Sequence, residues 1–289
     1  MVQPIIITDS CSDLPLEYVK KRDLPILSFT FNYKGEDRKD DLGQTLSYTD
    51  FYNGVREGHM STTSQVNSHT YVDFFRPYVE LGKPIIYMCF SSALSGSYNN
   101  AVMAKQMLLE EYPEASISII DTRSASMGQG LLVHLALELR DQGLGYKDII
   151  KWIENNKLRL AHWFTVDDLE HLKRGGRVSG AAAFIGSILS IKPILHVDNE
   201  GRLVPVSKVK GRKKSLKGLL EKMQETAVNP EQQTVFISHG DALEDANYLA
   251  DMIRDQLGVK DILISHIGPV IGSHSGPGTI ALFFLATQR

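Results

Sequence analysis

Short apolar runs that end in polar loops restrict most strongly how this chain can fold. Helical patterns separate the runs, which is typical of a parallel sheet with helices on both faces. The runs, each with its loop, are residues 5–8 with Thr8-Asp9-Ser10, 84–90 with 91–96, and 116–120 with 121–124. Ligands of such sheets bind beyond the carboxyl ends of the strands. The three loops are therefore the first candidate site.

The order of elements changes after a helical pattern at residues 146–155. The strands and hairpin predicted outside those three runs are 24–31, 158–166, 194–197 with 203–206, 234–238, 261–266 and 279–286. Adjacent strands joined by a Gly-containing turn pair antiparallel. We predict an α/β protein of two domains. Residues 1–157 form an N-terminal three-layer domain on a parallel sheet, and residues 158–289 form a C-terminal domain on a mixed sheet.

Charge and composition exclude several classes of partner. The formal net charge is -3, and Lys and Arg are scattered apart from a cluster at 208–214, so nucleic acid is not expected. No run reaches the ~18 apolar residues that span a bilayer. Cys11 and Cys89 are too few for a disulfide framework. We expect a cytoplasmic protein that does not insert into membranes.

Motifs for nucleotide and metal chemistry do not appear in the sequence. Residues 211–215 end in Lys-Ser but lack the upstream glycine of a phosphate loop, and Val133 stands where a dinucleotide fingerprint needs a third glycine. The acidic residues at 36–41 have no companion histidine. We therefore expect no catalytic cofactor and no metal.

Several segments in order along the chain resemble the DegV family. The matching segments are 7–10 with Asp13-Leu14, Thr63-Ser64-Gln65, 90–98, Asp121 with Ser126, Gly128 and Gly130, 168–179, 192–195 and 268–278. Their order and spread over nearly the whole chain make the resemblance specific.

The resemblance implies a two-domain α/β carrier for one long-chain fatty acid. Carried over by motif, Thr63 and Ser95 would bind the carboxylate, and His274 would approach from the second domain. In members with a partner kinase, the bound acid is presented for phosphorylation to an acyl phosphate. Such members carry an Arg in the basic segment after the hairpin, and the matching residue here is Lys210, a departure from that pattern.

The residue types fit this role physically. A buried carboxylate needs hydrogen-bond donors, and hydroxyls, backbone N–H groups or an imidazole supply them. Ser95 precedes a helical pattern, where it serves either as a helix cap or as a ligand donor, and Gly96 lets the backbone approach a ligand. Glycines on both sides of His274 predict a tight loop, while Thr63 by itself reads as an ordinary loop residue.

The apolar segment 181–195 is the candidate for a tail tunnel. At helical spacing Phe184, Ile188 and Ile191 share one face, which either packs in the core or lines the tunnel. At ~0.8 kcal/mol per buried CH₂, a sixteen-carbon tail offers roughly 10 kcal/mol before ordering costs. The tail would then set the affinity, and the head-group residues its orientation.

Two other classes of function stay open from sequence alone. One is a hydrolase or transferase for a small carboxylate or phosphate, with Ser95 as nucleophile, His274 as base and Asp9 as a third group. The other is a protein-interaction module without a ligand cavity.

Overall fold

The computed structural model describes residues 3–179 and 191–289. The strands in chain order are β1 (Ile5–Asp9), β2 (Ile26–Leu27), β3 (Thr30–Tyr33), β4 (Glu36–Lys39), β5 (Thr62–Ser64), β6 (Ile85–Cys89), β7 (Ile117–Asp121), β8 (Leu160–Thr165), β9 (Ile191–Val197), β10 (Leu203–Lys210), β11 (Thr234–His239), β12 (Asp261–His266) and β13 (Ile280–Leu285). The helices are α1 (Leu16–Lys21), α2 (Tyr48–Arg56), α3 (Ser68–Glu80), α4 (Ser97–Glu111), α5 (Met127–Asp141), α6 (Tyr146–Asn156), α7 (Glu170–Arg174), α8 (Arg212–Thr226), α9 (Leu243–Leu257) and α10 (Pro269–Ser275).

The first sheet is parallel, with strand order β2-β1-β6-β7. Alternate side chains of β1 point to opposite faces: Ile7 packs with Tyr87 and Phe75 on the α3 side, and Ile6 packs with Leu132 on the α5 side. The strands are almost wholly apolar because helices cover both faces. The predicted N-terminal parallel sheet is confirmed.

The single strand predicted at 24–31 is wrong. The chain leaves the first sheet after Leu27, and β3 pairs antiparallel with β4 and β5 in a separate small sheet. Alternation in β3 buries Phe31 and Tyr33, which pack against Phe51 of α2. An apolar run shows that a strand forms but not which sheet it joins.

The second sheet is mixed, as predicted, with strand order β10-β9-β8-β13-β11-β12. The predicted hairpin is present, with Leu203 opposite Val197, while β11 and β12 run parallel. Helices α8 and α9 pack on one face through residues such as Leu219 and Leu249.

Helix α5 lies between the two sheets and contacts both. Residues 127–133 are all buried, so this helix presents no solvent-facing stripe in its first two turns. Its apolar side chains belong to one cluster that contains Met88 of β6 and Phe236 of β11. The chain passes from the first half to the second through a short 3₁₀ turn, Lys157–Arg159, so the proposed boundary at 158 separates two sheets that share a core.

Candidate functional site

A cavity of about 280 Å³ lies between the two halves of the molecule. Its walls are mainly apolar, with aromatic rings from both halves, and they also carry polar side chains. The apolar walls include Phe29, Phe90, Leu94, Phe164, Leu172, Val197, Leu203, Val270, Ile271 and Phe283. The polar residues of the lining are Thr63, Ser64, Gln65, Ser95, Ser126, His162, Arg177, His274, Ser275 and Thr279. An elongated amphiphile matches this combination.

Thr63 and His274 meet in the lining of the cavity. The Thr63 hydroxyl lies 2.8 Å from Nε2 of His274, although the two residues are 211 positions apart in the chain. Thr63 belongs to β5 and is not the loop residue that its sequence context indicated. Pairing with β3 fixes its backbone, with Thr63 opposite Phe31.

His274 lies in the last turn of α10, so the predicted tight loop is wrong. Pro269 occupies the first helical position, where its fixed φ and missing N–H are tolerated. The glycines within the helix allow close packing: a Cβ at Gly272 would lie 2.6 Å from the Tyr52 hydroxyl oxygen. Burial, and to a smaller extent the charge of Arg177, lower the pKa of His274 to about 4. The imidazole is therefore neutral at neutral pH and has one N–H to donate.

Ser95 and Gly96 lie at the start of α4 and also line the cavity. Gly96 is the N-cap residue, and Ser95 Oγ accepts a hydrogen bond from Ser97 N at 3.2 Å and lies 2.9 Å from Ser97 Oγ. Ser95 thus supports the helix start and lines the cavity at once. A side chain at Gly96 would collide with the Gln65 amide. The lack of a Cβ at Gly96 keeps this part of the site open.

Arg177 is a site residue that sequence reasoning did not single out. Among the described residues that line the cavity, it is the one Lys or Arg side chain. Its Nη1 donates to the Gly175 carbonyl at 2.5 Å, and its Nε lies 3.4 Å from the Leu94 carbonyl oxygen. Arg177 therefore brings a positive charge to the loop that carries Ser95. In the sequence, Arg177 belongs to the basic segment 173–177. That segment is equally compatible with a solvated helix end and with a docking surface, so it does not indicate a ligand site.

The structure does not bring every predicted residue to this cavity. Lys210 is exposed at the end of β10, an edge strand, where it pairs with Ile191 of β9, and neither residue lines the cavity. The strand register places Lys210 on the outer edge of the sheet, and its role at the ligand stays a prediction. Phe184 and Ile188, the other predicted tunnel residues, lie outside the described residues.

In the described structure, the residues proposed for a hydrolase have other hydrogen-bond partners than one another. His274 Nε2 is paired with Thr63 and not with Ser95, and its Nδ1 lies against Gly175. Asp9 is fully buried and accepts hydrogen bonds from Tyr87 Oη at 2.8 Å and from two backbone N–H groups. Asp9 thus ties neighbouring loops together. Ser95, His274 and Asp9 do not form a hydrogen-bonded triad.

Residues 3–179 and 191–289 contain neither a metal-binding cluster nor a membrane-spanning helix. No group of three or more His, Cys, Asp or Glu side chains in these ranges is arranged to hold a metal ion. No helix in the same ranges is long and apolar enough to cross a membrane.

Fold and cavity together define an α/β protein whose two halves enclose a mainly apolar cavity with polar residues in its lining. The chain belongs to the DegV family: the family described as "Uncharacterised protein, DegV family" matches residues 5–287. A DegV domain-containing protein of Clostridium perfringens is 52% identical, over 99% of this chain and 98% of that relative.

Solved structures of the family have the same fold over their full length. A fatty-acid-binding DegV family protein from Thermus thermophilus is 28% identical, with a TM-score of 0.89, and covers 98% of this chain and 99% of its own. DegV from Bacillus subtilis, a fatty-acid-binding protein, is 28% identical with a TM-score of 0.83 and covers 99% and 100%. A DegV lipid-binding protein from Thermotoga maritima is 28% identical with a TM-score of 0.86.

Proposed function

We propose that this chain binds one long-chain fatty acid as a carrier, with the carboxylate at polar residues of the lining and the tail in the apolar cavity. The observation that carries the proposal is the presence of Thr63, Ser95, His274 and Arg177 together in the lining of a mainly apolar cavity, with Thr63 and His274 in direct contact. Relatives of the same fold are described as fatty-acid-binding proteins.

The head group would be held by hydrogen bonds and one positive charge. A carboxylate removed from water needs several donors. The Thr63 and Ser95 hydroxyls can each donate one hydrogen bond to the carboxylate. When Nε2 of the neutral His274 imidazole donates to the Thr63 oxygen, the Thr63 proton stays free for the ligand. Arg177 would supply the opposite charge at the ligand, and Lys210 with the neighbouring Arg212 would dock the partner or steady the charge.

The tail would supply most of the affinity. Phenylalanine rings from both halves, among them Phe90 and Phe283, face the cavity. At ~0.8 kcal/mol per CH₂, a sixteen-carbon chain contributes roughly 10 kcal/mol before ordering costs, against ~1.5–3 for one charge-assisted hydrogen bond. Phe184, Ile188 and Ile191 remain predictions for the tunnel, and Ile191 would have to contribute from outside the described cavity.

The acid would also be presented to a partner. In this proposal a fatty acid kinase supplies ATP, Mg²⁺ and the phosphate-binding groups, and the carrier holds the carboxylate in position for attack on the phosphorus. The chain then has no turnover of its own.

Mass spectrometry of lipid extracted from the purified chain tests the binding proposal. We expect about one fatty acid per chain, and stoichiometric uptake of palmitate or oleate after removal of lipid. Extracts without lipid, together with no uptake, would refute it. The carrier role is tested by incubating chain, fatty acid, ATP and Mg²⁺ with and without a DegV-partner kinase: acyl phosphate should form only with the kinase.

A further inference from the structure

The amino end of α10 is held by a buried aspartate of the other half of the molecule. Asp13 follows the first strand and its 3₁₀ turn, and it is 2% exposed. Its Oδ1 accepts a hydrogen bond from Gly268 N at 2.8 Å, where α10 starts. Tyr52 reinforces this junction by donating to the Ile267 carbonyl at 2.9 Å. The helix that carries His274 is therefore fixed at its beginning by the N-terminal half.

The second oxygen of Asp13 connects the same junction to the cavity wall. Asp13 Oδ2 accepts from Ser126 Oγ at 2.5 Å, and Ser126 Oγ lies 2.8 Å from Ser238 Oγ. A hydroxyl has one proton, so Ser126 donates to Asp13 and accepts from Ser238. Ser126 lines the cavity at the start of α5, and Ser238 belongs to β11. One carboxylate thus joins elements from both sheets.

Both residues of the Asp13–Ser126 hydrogen bond have positive φ, 51° at Asp13 and 53° at Ser126. Residues other than glycine rarely adopt this backbone conformation, and its energetic cost persists only where the surrounding structure imposes it. The surrounding structure therefore holds both backbones in these conformations despite their energetic cost, and the hydrogen bond joins the two residues there.

A second buried carboxylate, Asp40, faces the same turn. A Cβ on Gly268 would lie 3.0 Å from Asp13 Oδ1 and 3.0 Å from Asp40 Oδ2, so both carboxylates border the N-cap glycine of α10. In the described structure neither acid forms an ion pair, and α10 is positioned by hydrogen bonding and close packing at this turn.

We infer that Asp13 is a positioning residue for the carboxylate site: by holding Gly268 and Ser126 together, it places α10 so that His274 meets Thr63. The inference rests on the proposed function. Helix α10 has seven residues, so a shift at its start is carried directly to its last turn. Asp13 itself does not line the cavity.

The test compares Asp13→Gly with Asp13→Asn in delipidated protein. Glycine fits the left-handed backbone and removes both hydrogen bonds, whereas asparagine also fits and keeps an acceptor for Gly268 N. Asp23→Gly is the matched control, because Asp23 has φ 46° and lies in the turn after α1. Gly268→Ala is a second perturbation, since φ is -68° there and the new methyl group would press on both carboxylates.

We expect oleate affinity to fall about tenfold or more in Asp13→Gly and in Gly268→Ala, and by less than about threefold in Asp13→Asn and Asp23→Gly. In a His274→Ala background, Asp13→Gly should cause little further loss, because its effect acts through His274. An equal loss in both backgrounds, or wild-type affinity in both Asp13→Gly and Gly268→Ala, would overturn the inference.

Imidazole NMR signals of the ligand-free chain separate this inference from the proposed function. If the wild-type chain binds no fatty acid, the proposed function fails, while a shifted His274 signal in Asp13→Gly and an unshifted one in Asp23→Gly still support the positioning role. An unchanged His274 signal in folded Asp13→Gly would reject it. If Asp13→Gly does not fold, Gly268→Ala decides by the same two measurements.

Discussion

The Thr63 hydroxyl and Nε2 of His274 lie 2.8 Å apart, across the junction between the small sheet and α10. Neither residue is placed by its neighbours in sequence: β3 fixes the strand of Thr63, and the N-terminal half fixes the helix of His274. The candidate site therefore exists only when both halves are folded together.

Loss of the head-group hydroxyls should weaken fatty-acid binding without unfolding the chain. Thr63→Val and Ser95→Ala each remove one donor to a charged carboxylate, with an expected loss of ~1.5–3 kcal/mol, or roughly ten- to 150-fold in Kd. Isothermal titration with oleate on delipidated protein measures it. Thr62→Val is the control, because Thr62 is exposed and alternates to the other face of β5. Equal affinity in all the variants would place the head group elsewhere.

Arg177 and Lys210 should differ in their effect on the ligand. Arg177→Gln removes a positive charge from the cavity lining, and we expect an affinity loss of about three- to tenfold at low salt that shrinks as salt screens the charge. Lys210→Gln removes the same charge from the outer edge of the sheet and should change Kd by less than about twofold. A larger effect of Lys210→Gln than of Arg177→Gln would place the positive charge of the site at Lys210.

Gly128 should tolerate alanine poorly. A Cβ there would collide with Nε2 of His162 and lie 2.9 Å from Cδ1 of Phe283, and both side chains line the cavity. Overpacking of this kind costs ~1–3 kcal/mol, and we expect Gly128→Ala to lower both the unfolding free energy and the amount of bound lipid.

The matched control is Gly218→Ala in α8. Among the described residues, the one close neighbour of a Cβ there is the Cδ1 methyl of Ile194, the end of a flexible side chain. Ile194 can turn away, and alanine gains up to ~1 kcal/mol of helix propensity, so the net cost should be small. Equal destabilisation of both variants in urea unfolding would argue against a specific clash at Gly128.

Arg289 should stabilise the fold, because its guanidinium forms several hydrogen bonds. Its guanidinium donates to the carbonyl oxygens of Arg123 at 2.8 Å, Asp198 at 3.1 Å and Leu160 at 3.1 Å, which belong to both halves. Arg289→Met should lower the unfolding free energy by about 1.5–3 kcal/mol. Arg289→Lys should not restore it, because an ammonium group lacks the planar fork.

The control for Arg289 is Arg159→Met. Arg159 is exposed, and within the described part of the chain its guanidinium donates only to the nearby Asn156 side chain. Thermal unfolding should show no change beyond about 0.5 kcal/mol for this variant. A similar loss in both variants would indicate a general charge effect.

His239 should make stability depend on pH. Burial, followed by the neighbouring His266, lowers its pKa to about 4 from the ordinary 6.5. Between these values the unfolded chain binds a proton that the folded chain does not, so the contribution of His239 to stability falls as the pH is lowered from 6.5 to 4. The difference amounts to about 3 kcal/mol at pH 4.

The measurement compares the wild-type chain with His239→Asn from pH 7.5 to 4. Asparagine does not titrate and can keep an acceptor for Ala242 N, which now donates to His239 Nδ1. Burial raises the pKa of Asp9 to about 6 and of Asp40 to about 7, which acts in the opposite direction but is common to both proteins. Parallel pH profiles of the two proteins would contradict the prediction.

The sheets and the polar loops followed from local patterns, whereas contacts over long distances in sequence did not. Alternation and apolar runs predicted the strands of both large sheets. The same run at 24–31 concealed two strands, because periodicity within a run carries no information about its neighbours in space. Thr63, Ser95 and His274 came from motifs, and the structure brings their elements to one cavity.

The residues that were missed or misplaced depend on tertiary contacts. Glycines around His274 indicated a loop, but in a packed helix the same glycines allow Tyr52 to approach. The roles of Arg177 and Asp13 come from hydrogen bonds to residues far away in sequence. Arg177 contacts Leu94 and Asp13 contacts Gly268, and each pair is more than 80 residues apart in the chain. Lys210 was singled out because it lies in a basic segment after the hairpin. A basic segment does not define the register of an edge strand.

The burial of α5 from both sides bears on how this protein can be divided. Cutting the chain between α6 and β8 would leave the N-terminal fragment with Met127, Leu131 and other side chains of one helix face in water, and the C-terminal fragment with Phe236 and Phe283 uncovered. Fragments of this kind tend to reassemble or aggregate. Hybrids made by joining halves of different relatives would need matched α5 surfaces, so the two halves are expected to be inherited as one unit.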